Sequence, residues 1–194
     1  MLRGWWSVAN YQRIQRQQAL REAEGYLDLA MGLADRWPLP AELRVRLAQR
    51  ALDTLVTVSG SCAQRTEILY LTGLAYRTMH RYAEAVPPPQ AAAELSPESV
   101  PVWLALGWCY KRIDRLDEAI QALEQALLAN TQEAIVHYNL ACYWSLAGDV
   151  DLALQYLAQS FDIDPRYREL VAHESDFDPI RDLPDFQALM GAIV

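Results

Sequence analysis

Residues 66–99 (TEILYLTGLAYRTMHRYAEAVPPPQAAAELSPES), 100–133 (VPVWLALGWCYKRIDRLDEAIQALEQALLANTQE) and 134–167 (AIVHYNLACYWSLAGDVDLALQYLAQSFDIDPRY) echo one another at a period of 34. In register stand Gly73, Gly107 and Ala141, then Tyr76, Tyr110 and Trp144. Further on come Ala85, Ala119 and Ala153, and then Ala92, Ala126 and Ser160. Pro97 and Pro165 close the first and third copies, with Thr131 between them. Self-similarity at a fixed period of about 20–50 residues is the mark of stacked supersecondary units.

Each copy reads as two helices. The first of each pair is expected over about 67–79, 102–113 and 134–146, with turns at His80-Arg81, Asp114-Arg115 and Ala147-Gly148-Asp149. Gly148 suits a left-handed helix end. In the second helices, Ala119, Leu123 and Ala126 match Ala153, Leu157 and Ser160, on one face at spacings of four and three. Small residues at 73, 107 and 141 imply a close helix–helix approach, and the aromatics one turn on fill a wider gap. The first copy carries Pro87, Pro88 and Pro89 where a helix interior is expected. Prolines remove helical hydrogen bonds and clash with the preceding turn. That helix should therefore split near Val86–Pro89 and resume from about Pro89 to Leu95.

The pattern of a small residue, an aromatic three positions on and an alanine twelve positions on resembles the tetratricopeptide repeat (TPR). The resemblance covers about residues 66–167, over half of the 194. It implies an all-α fold: a right-handed α-solenoid of TPR helical hairpins with helical capping segments at both ends. The expected organisation is an N-terminal helical cap or degenerate hairpin (1–65), three repeats (66–99, 100–133, 134–167) and C-terminal capping helices (168–194).

Composition agrees with a folded protein, at 52% hydrophobic and 22% charged. No apolar run reaches the roughly 20 residues that span a bilayer. The start, Met1-Leu2-Arg3-Gly4-Trp5-Trp6, lacks the pattern of a secretory signal, so a cytoplasmic, bacterial protein is expected. Net charge is −8, but residues 1–65 carry +3 and residues 66–194 carry −11. An acidic repeat body repels phosphate backbones, which argues against nucleic-acid partners. The basic N-terminal third reads chiefly as solvated helix faces. A membrane-peripheral role, with Trp5, Trp6, Arg3, Arg13 and Arg16 at a lipid interface, is the less favoured reading.

In residues 1–65, helices are expected over about 11–36 and 41–58, joined by the rigid turn Trp37-Pro38-Leu39-Pro40. Leu43, Leu47, Ala51, Leu55 and Val58 form an apolar stripe on the second, while Gly32 and Ala51 are read as remnants of the repeat. Downstream, a helix over 167–172 is expected, then helix starts at Asp178-Pro179 and Asp182-Leu183-Pro184-Asp185. Phe177, Ile180, Phe186, Leu189 and Met190 would lie over the last repeat as a lid. The acids of this tail lack the spacing and glycine of an EF-hand loop, so no metal is expected.

Chemistry is sparse. Cys62 is placed in a loop after Ser59-Gly60-Ser61, and Cys109 and Cys142 sit in helices as small apolar filler rather than as a disulfide. His80, His137 and His173 lack ligand spacing, and His137 reads as a core histidine. No phosphate loop, nucleophile elbow or base–nucleophile pair appears. No catalytic residue, cofactor or metal is assigned, and the expected function is not enzymatic.

The resemblance implies that the first helices line a concave groove. By position, the peptide-binding candidates are Tyr70, Leu74 and Arg77, then Leu104, Trp108 and Lys111, then Tyr138, Asn139 and Cys142. Aromatic anchors and cations suit an extended peptide. The carboxylate clamp of TPR co-chaperones is not reproduced, because Tyr70 and Leu74 stand at two of its places and only Asn139 has a counterpart. The expected function is a non-catalytic adaptor or assembly factor whose partner is a protein or peptide. The alternative is a structural or self-associating homo-oligomeric module whose groove is filled from within.

Overall fold

Three left-handed turns, at His80, Asp114 and Gly148, hold the repeated hairpins, with φ of 59°, 59° and 82°. In each, the amide one residue later bonds back to the aromatic carbonyl five positions upstream. These bonds are Arg81 to Tyr76, Arg115 to Tyr110 and Asp149 to Trp144, all at 3.0 Å. This is the 6→1 bond of a Schellman helix end. The first two turns then lay Arg81 and Arg115 over their own tyrosines, at 4.8 and 4.9 Å from the ring centroids. The third instead uses Asp149 as an N-cap, its side chain accepting from the Leu152 amide at 3.0 Å.

The computed structural model describes residues 2–32, 39–58 and 62–191, with side chains from 10–32, 39–58 and 64–191. Among these, all regular structure is helical: α1 (Leu2–Met31), α2 (Ala41–Val56), α3 (Cys62–Thr78), α4 (Tyr82–Ala85), α5 (Pro87–Leu95), α6 (Val100–Arg112), α7 (Leu116–Ala129), α8 (Ala134–Ala147), α9 (Val150–Ile163), α10 (Tyr167–Val171), a 3-10 turn (Ser175–Phe177) and α11 (Pro184–Gly191). None of these helices is long and apolar enough to cross a membrane. The chain divides into two compact units, Met1–Pro97 and Glu98–Val194.

In the first unit, α1 packs on α2 and α3. Its buried face is Leu20, Ala23, Leu27 and Ala30, at helical spacing. The partner face of α2 is Ala48, Ala51, Leu52 and Leu55, which shifts the expected stripe. Leu43 is exposed and Val58 half-buried. Gly32 is no remnant of a mid-helix crossing, because it follows the last turn of α1 and bonds back to the Asp28 carbonyl. The fully buried small residues of these two helices are alanines, Ala23 on α1 and Ala48 and Ala51 on α2. Cys62 opens α3 rather than lying in a loop, since nothing after Gly60 interrupts a helix. Trp37-Pro38, Ser59-Gly60-Ser61 and the side chains of Arg3, Trp5, Trp6 and Cys62 lie outside the described residues.

The expected split of the proline-bearing helix occurs, but the second segment resumes at Pro87, two residues earlier than the sequence suggested. The reason is bond accounting. The first amides of a helix have no intrahelical acceptor, so three prolines in the first turn sacrifice nothing there. The ladder restarts with the Gln90 amide on the Val86 carbonyl at 3.1 Å. Pro89 is fully buried and takes the place that Leu123 holds in the next hairpin.

The crossings are tight. A Cβ built on Gly73 would meet Pro89 Cδ at 2.7 Å and the Ala85 carbonyl oxygen at 3.3 Å. On Gly107 it would meet Leu123 Cδ2 at 3.0 Å and the Ala119 carbonyl oxygen at 3.2 Å. The α8–α9 hairpin accommodates the Cβ of Ala141, with Ala153 and Leu157 also fully buried.

In the second unit the lid is present: Phe177, Ile180 and Phe186 are buried, and Leu189 and Met190 are half-buried. α11 starts at Pro184 as expected. Asp178-Pro179, in contrast, starts no helix. The chain turns there through i→i+3 bonds, Asp178 to Ser175 and Ile180 to Phe177, both at 3.0 Å. An α-helix begun at Pro179 would soon need the amide that Pro184 lacks to reach the Ile180 carbonyl.

Gly73→Ala is expected to lower stability by about 1–3 kcal/mol, because the rigid Pro89 ring cannot yield. Gly107→Ala should cost less, since the Leu123 side chain can rotate; denaturant midpoints of the two variants check this order. Asp114→Gly should raise stability by about 1 kcal/mol by relieving a left-handed non-glycine residue, read from the same unfolding curves.

Candidate functional site

The candidate residues lie on α3, α6 and α8. On α3, Leu74 is buried at 7% exposure, and Tyr70 and Arg77 are half-buried. Arg77 donates to Met31 Sδ at 3.3 Å, so this face turns toward α1. Burial pushes the Tyr70 hydroxyl pKa up, Arg77 opposes, and Glu24 of α1 adds to the rise. Of the three, Arg77 thus has a contact within the first unit, on α1.

On α6, Leu104 and Trp108 are half-buried, with the Arg112 guanidinium 5.5 Å over the Trp108 ring. Lys111 pairs with the Asp176 carboxylate and lies 5.6 Å from the Tyr143 ring centroid. On α8, Asn139 is half-buried, whereas Tyr138 and Cys142 are only 5% and 1% exposed. Their cover is the tail.

The 3-10 turn Ser175–Phe177 packs on α8 and is held by its backbone as well as its side chains. Ser145 Oγ donates to the Asp176 carbonyl at 2.7 Å. The Tyr138 ring stands 5.8 Å from Phe177 and 5.1 Å from Tyr167, and Phe177 stands 5.8 Å from Phe186. Arg181 ties the segment back on itself, donating to the Val171 carbonyl at 3.1 Å and the Glu174 carbonyl at 2.7 Å. The Asp176 amide donates to the Glu174 side chain at 3.2 Å.

Asp176 is only 8% exposed. A buried carboxylate needs a cation and hydrogen bonds, and removing one partner of such a pair costs about 3–5 kcal/mol. Lys111 supplies the cation. Beside Phe177, Tyr138 Oη is buried without a hydrogen-bond partner, as are His137 Nδ1 and Trp144 Nε1 elsewhere on α8. Leaving such a group unmatched costs about 1–3 kcal/mol.

Ligand atoms of Cys142, Glu174 and Asp176 come within 4.8 Å of one another, yet the cation among them is already Lys111. Burial, then Asp176 and Glu174, push the Cys142 thiol pKa up, with Lys111 opposing. A thiol held neutral is a poor metal ligand and a poor nucleophile. Burial likewise raises the pKa of Tyr138 and of Tyr143. Raised in this way, these three groups stay protonated near neutral pH. His137 is a buried core residue as expected, its Nε2 2.9 Å from the Thr131 carbonyl.

Of the nine candidates, the fold gathers Lys111, Tyr138 and Cys142 around one segment, and Leu104 and Trp108 stand nearby on α6. Ser145 and Asp176 were missed. Ser145 continues the Tyr138–Cys142 row at helical spacing and was legible there; Asp176 was not.

Residues 76–141 match the family model for the tetratricopeptide repeat. Among solved structures, the chain is similar to MamA (MSR-1), with a TM-score of 0.56 at 22% identity, covering 81% of this chain and 98% of that one. It is similar to MamA (AMB-1), at 0.55 and 22%, over 81% and 93%. It is also similar to YrrB, described as a TPR protein with an unusual peptide-binding site, at 0.59 and 20%, over 69% of each chain. At these identities the likeness is one of fold, an all-α solenoid of helical hairpins. No curated protein matches the sequence.

Ser145→Ala should lower stability by about 1–3 kcal/mol by orphaning the Asp176 carbonyl. Tyr138→Phe should be neutral or stabilising, because the lost hydroxyl has no partner. Thermal unfolding of both variants tests the pair of assignments.

Proposed function

We propose, from the premise that this chain is a tetratricopeptide-repeat protein, that it is a non-catalytic adaptor or assembly factor. It binds a peptide or protein segment on the inner face of its repeat helices. The observation that carries this reading is that the Tyr138–Ser145 face of α8 already holds a run of polypeptide, gripping backbone and side chain alike. A surface that recognises a carboxylate, a carbonyl and a ring is equipped for protein segments. YrrB, a protein of the same fold, is described by its peptide-binding site, which agrees with this use of the fold.

Within the second unit, the part of that face left to a partner is on α6, where Leu104 and Trp108 remain half-buried. Trp offers a large, rigid contact area. A second reading, a structural module with its face filled from within, is favoured by the tail covering Tyr138 and Cys142. The two readings divide at α6, which the tail contacts described above do not include beyond Lys111.

The test is affinity capture from the native host, comparing wild type with Leu104→Asp/Trp108→Ala. A partner retained by the wild type should be lost from the folded double variant, with at least a tenfold drop in affinity, about 1.4 kcal/mol. Identical retained proteins would move the function off this face and toward the structural reading.

A further inference from the structure

We propose that residues 174–177 are a tethered stand-in for the partner. The seat formed by Lys111, Tyr138 and Ser145 accepts an acidic residue followed by an aromatic one, and the chain's own tail closes it until such a segment takes its place. This rests on the reading of the inner face as a binding face and names the chemistry of its partner.

Three observations support it. First, every element of the grip is one that another chain can supply. A carboxylate meets Lys111, a main-chain carbonyl meets Ser145 Oγ, and a phenyl ring meets Tyr138. Second, the fit is incomplete, for the buried Tyr138 hydroxyl finds no acceptor in the tail. A partner bringing an acceptor to that point has an interaction the tail lacks. Third, between α10 and α11 the tail has one 3-10 turn and a series of turns in place of a helix, so its departure from the seat breaks no regular helical ladder. The full burial of Phe177 sets the specificity. An acidic segment without an aromatic residue leaves that volume empty and does not compete.

The test uses the full chain and a fluorescein-labelled peptide copying residues 172–183. Asp176→Lys sets two cations against each other and opens the seat while sparing Lys111, Tyr138 and Ser145. It should bind the peptide at least tenfold more tightly than wild type. Adding Lys111→Glu restores an opposite pair with the charges exchanged and should close the seat again, read as a return of Cys142 labelling to the wild-type rate, while the peptide stays unbound because the seat has lost its cation. A peptide with alanine at the place of Phe177 should not bind. Cys142, 1% exposed under the tail, supplies a second readout. Its labelling by a maleimide, located by mass spectrometry, should be faster in Asp176→Lys than in wild type.

A folded Asp176→Lys that binds no better and labels no faster overturns the proposal and leaves the tail a permanent cap. If that variant does not fold, Asp176→Asn carries the same two comparisons. Wild-type dimers that the peptide disperses would make the occupant a second copy's tail and overturn the assignment to a separate partner. Capture that still depends on Leu104 and Trp108 while the peptide fails to bind would overturn the tethered ligand alone, not the adaptor reading.

Discussion

The helices of each hairpin touch backbone to backbone, and that distance governs the rest. With no Cβ at Gly73 and Gly107, the carbonyls of Ala85 and Ala119 come close to the facing helix. The approach then decides what stands one turn away. On one side a branched or ring-shaped side chain must fill the crossing, Leu123 in one hairpin and Pro89 in another. On the other, Tyr76 and Tyr110 occupy the space where the helices diverge, each under an arginine from its own turn. The third hairpin relaxes the rule by one methyl, Ala141, and correspondingly changes its turn to Gly148 with Asp149 as the cap.

The seat on α8 is a result of the same packing. Because one face of α8 is committed to α9, the opposite row of Tyr138, Cys142 and Ser145 is left for something else. In this chain the tail takes it, with Asp176 paired to Lys111 and Phe177 against Tyr138. The charge distribution suits this, since an acidic body with few cations leaves the Asp176 carboxylate few alternatives to the ammonium on α6.

Much of the fold was legible because a hairpin is a local object. Period, small-residue positions and turns all lie within 34 residues, and helix packing turns them directly into geometry. The proline break was legible for the same reason, though its register was not. Whether three prolines waste hydrogen bonds depends on where the helix restarts, and residue preferences alone placed that too late. Candidate residues were legible as a row on each helix, but not their cover. Lys111 and Asp176 stand 65 residues apart, and nothing local to either announces the other. The turns at 178–183 were misread as a helix start because Asp-Pro favours one; the opposing fact, a second proline a few residues on, decided the outcome.

Lys111 is the one lysine in this sequence, all other basic side chains apart from the histidines being arginine. Arginine resists acylation, whereas the ε-amine of lysine is the usual site of acetylation and of amine-reactive reagents. Any acyl group placed on a side-chain amine of this chain therefore falls on the cation that seats the tail, and neutralises it. Surface immobilisation, fluorescent tagging or enzymatic acetylation through lysine would each act as a single-site chemical mutation of that contact.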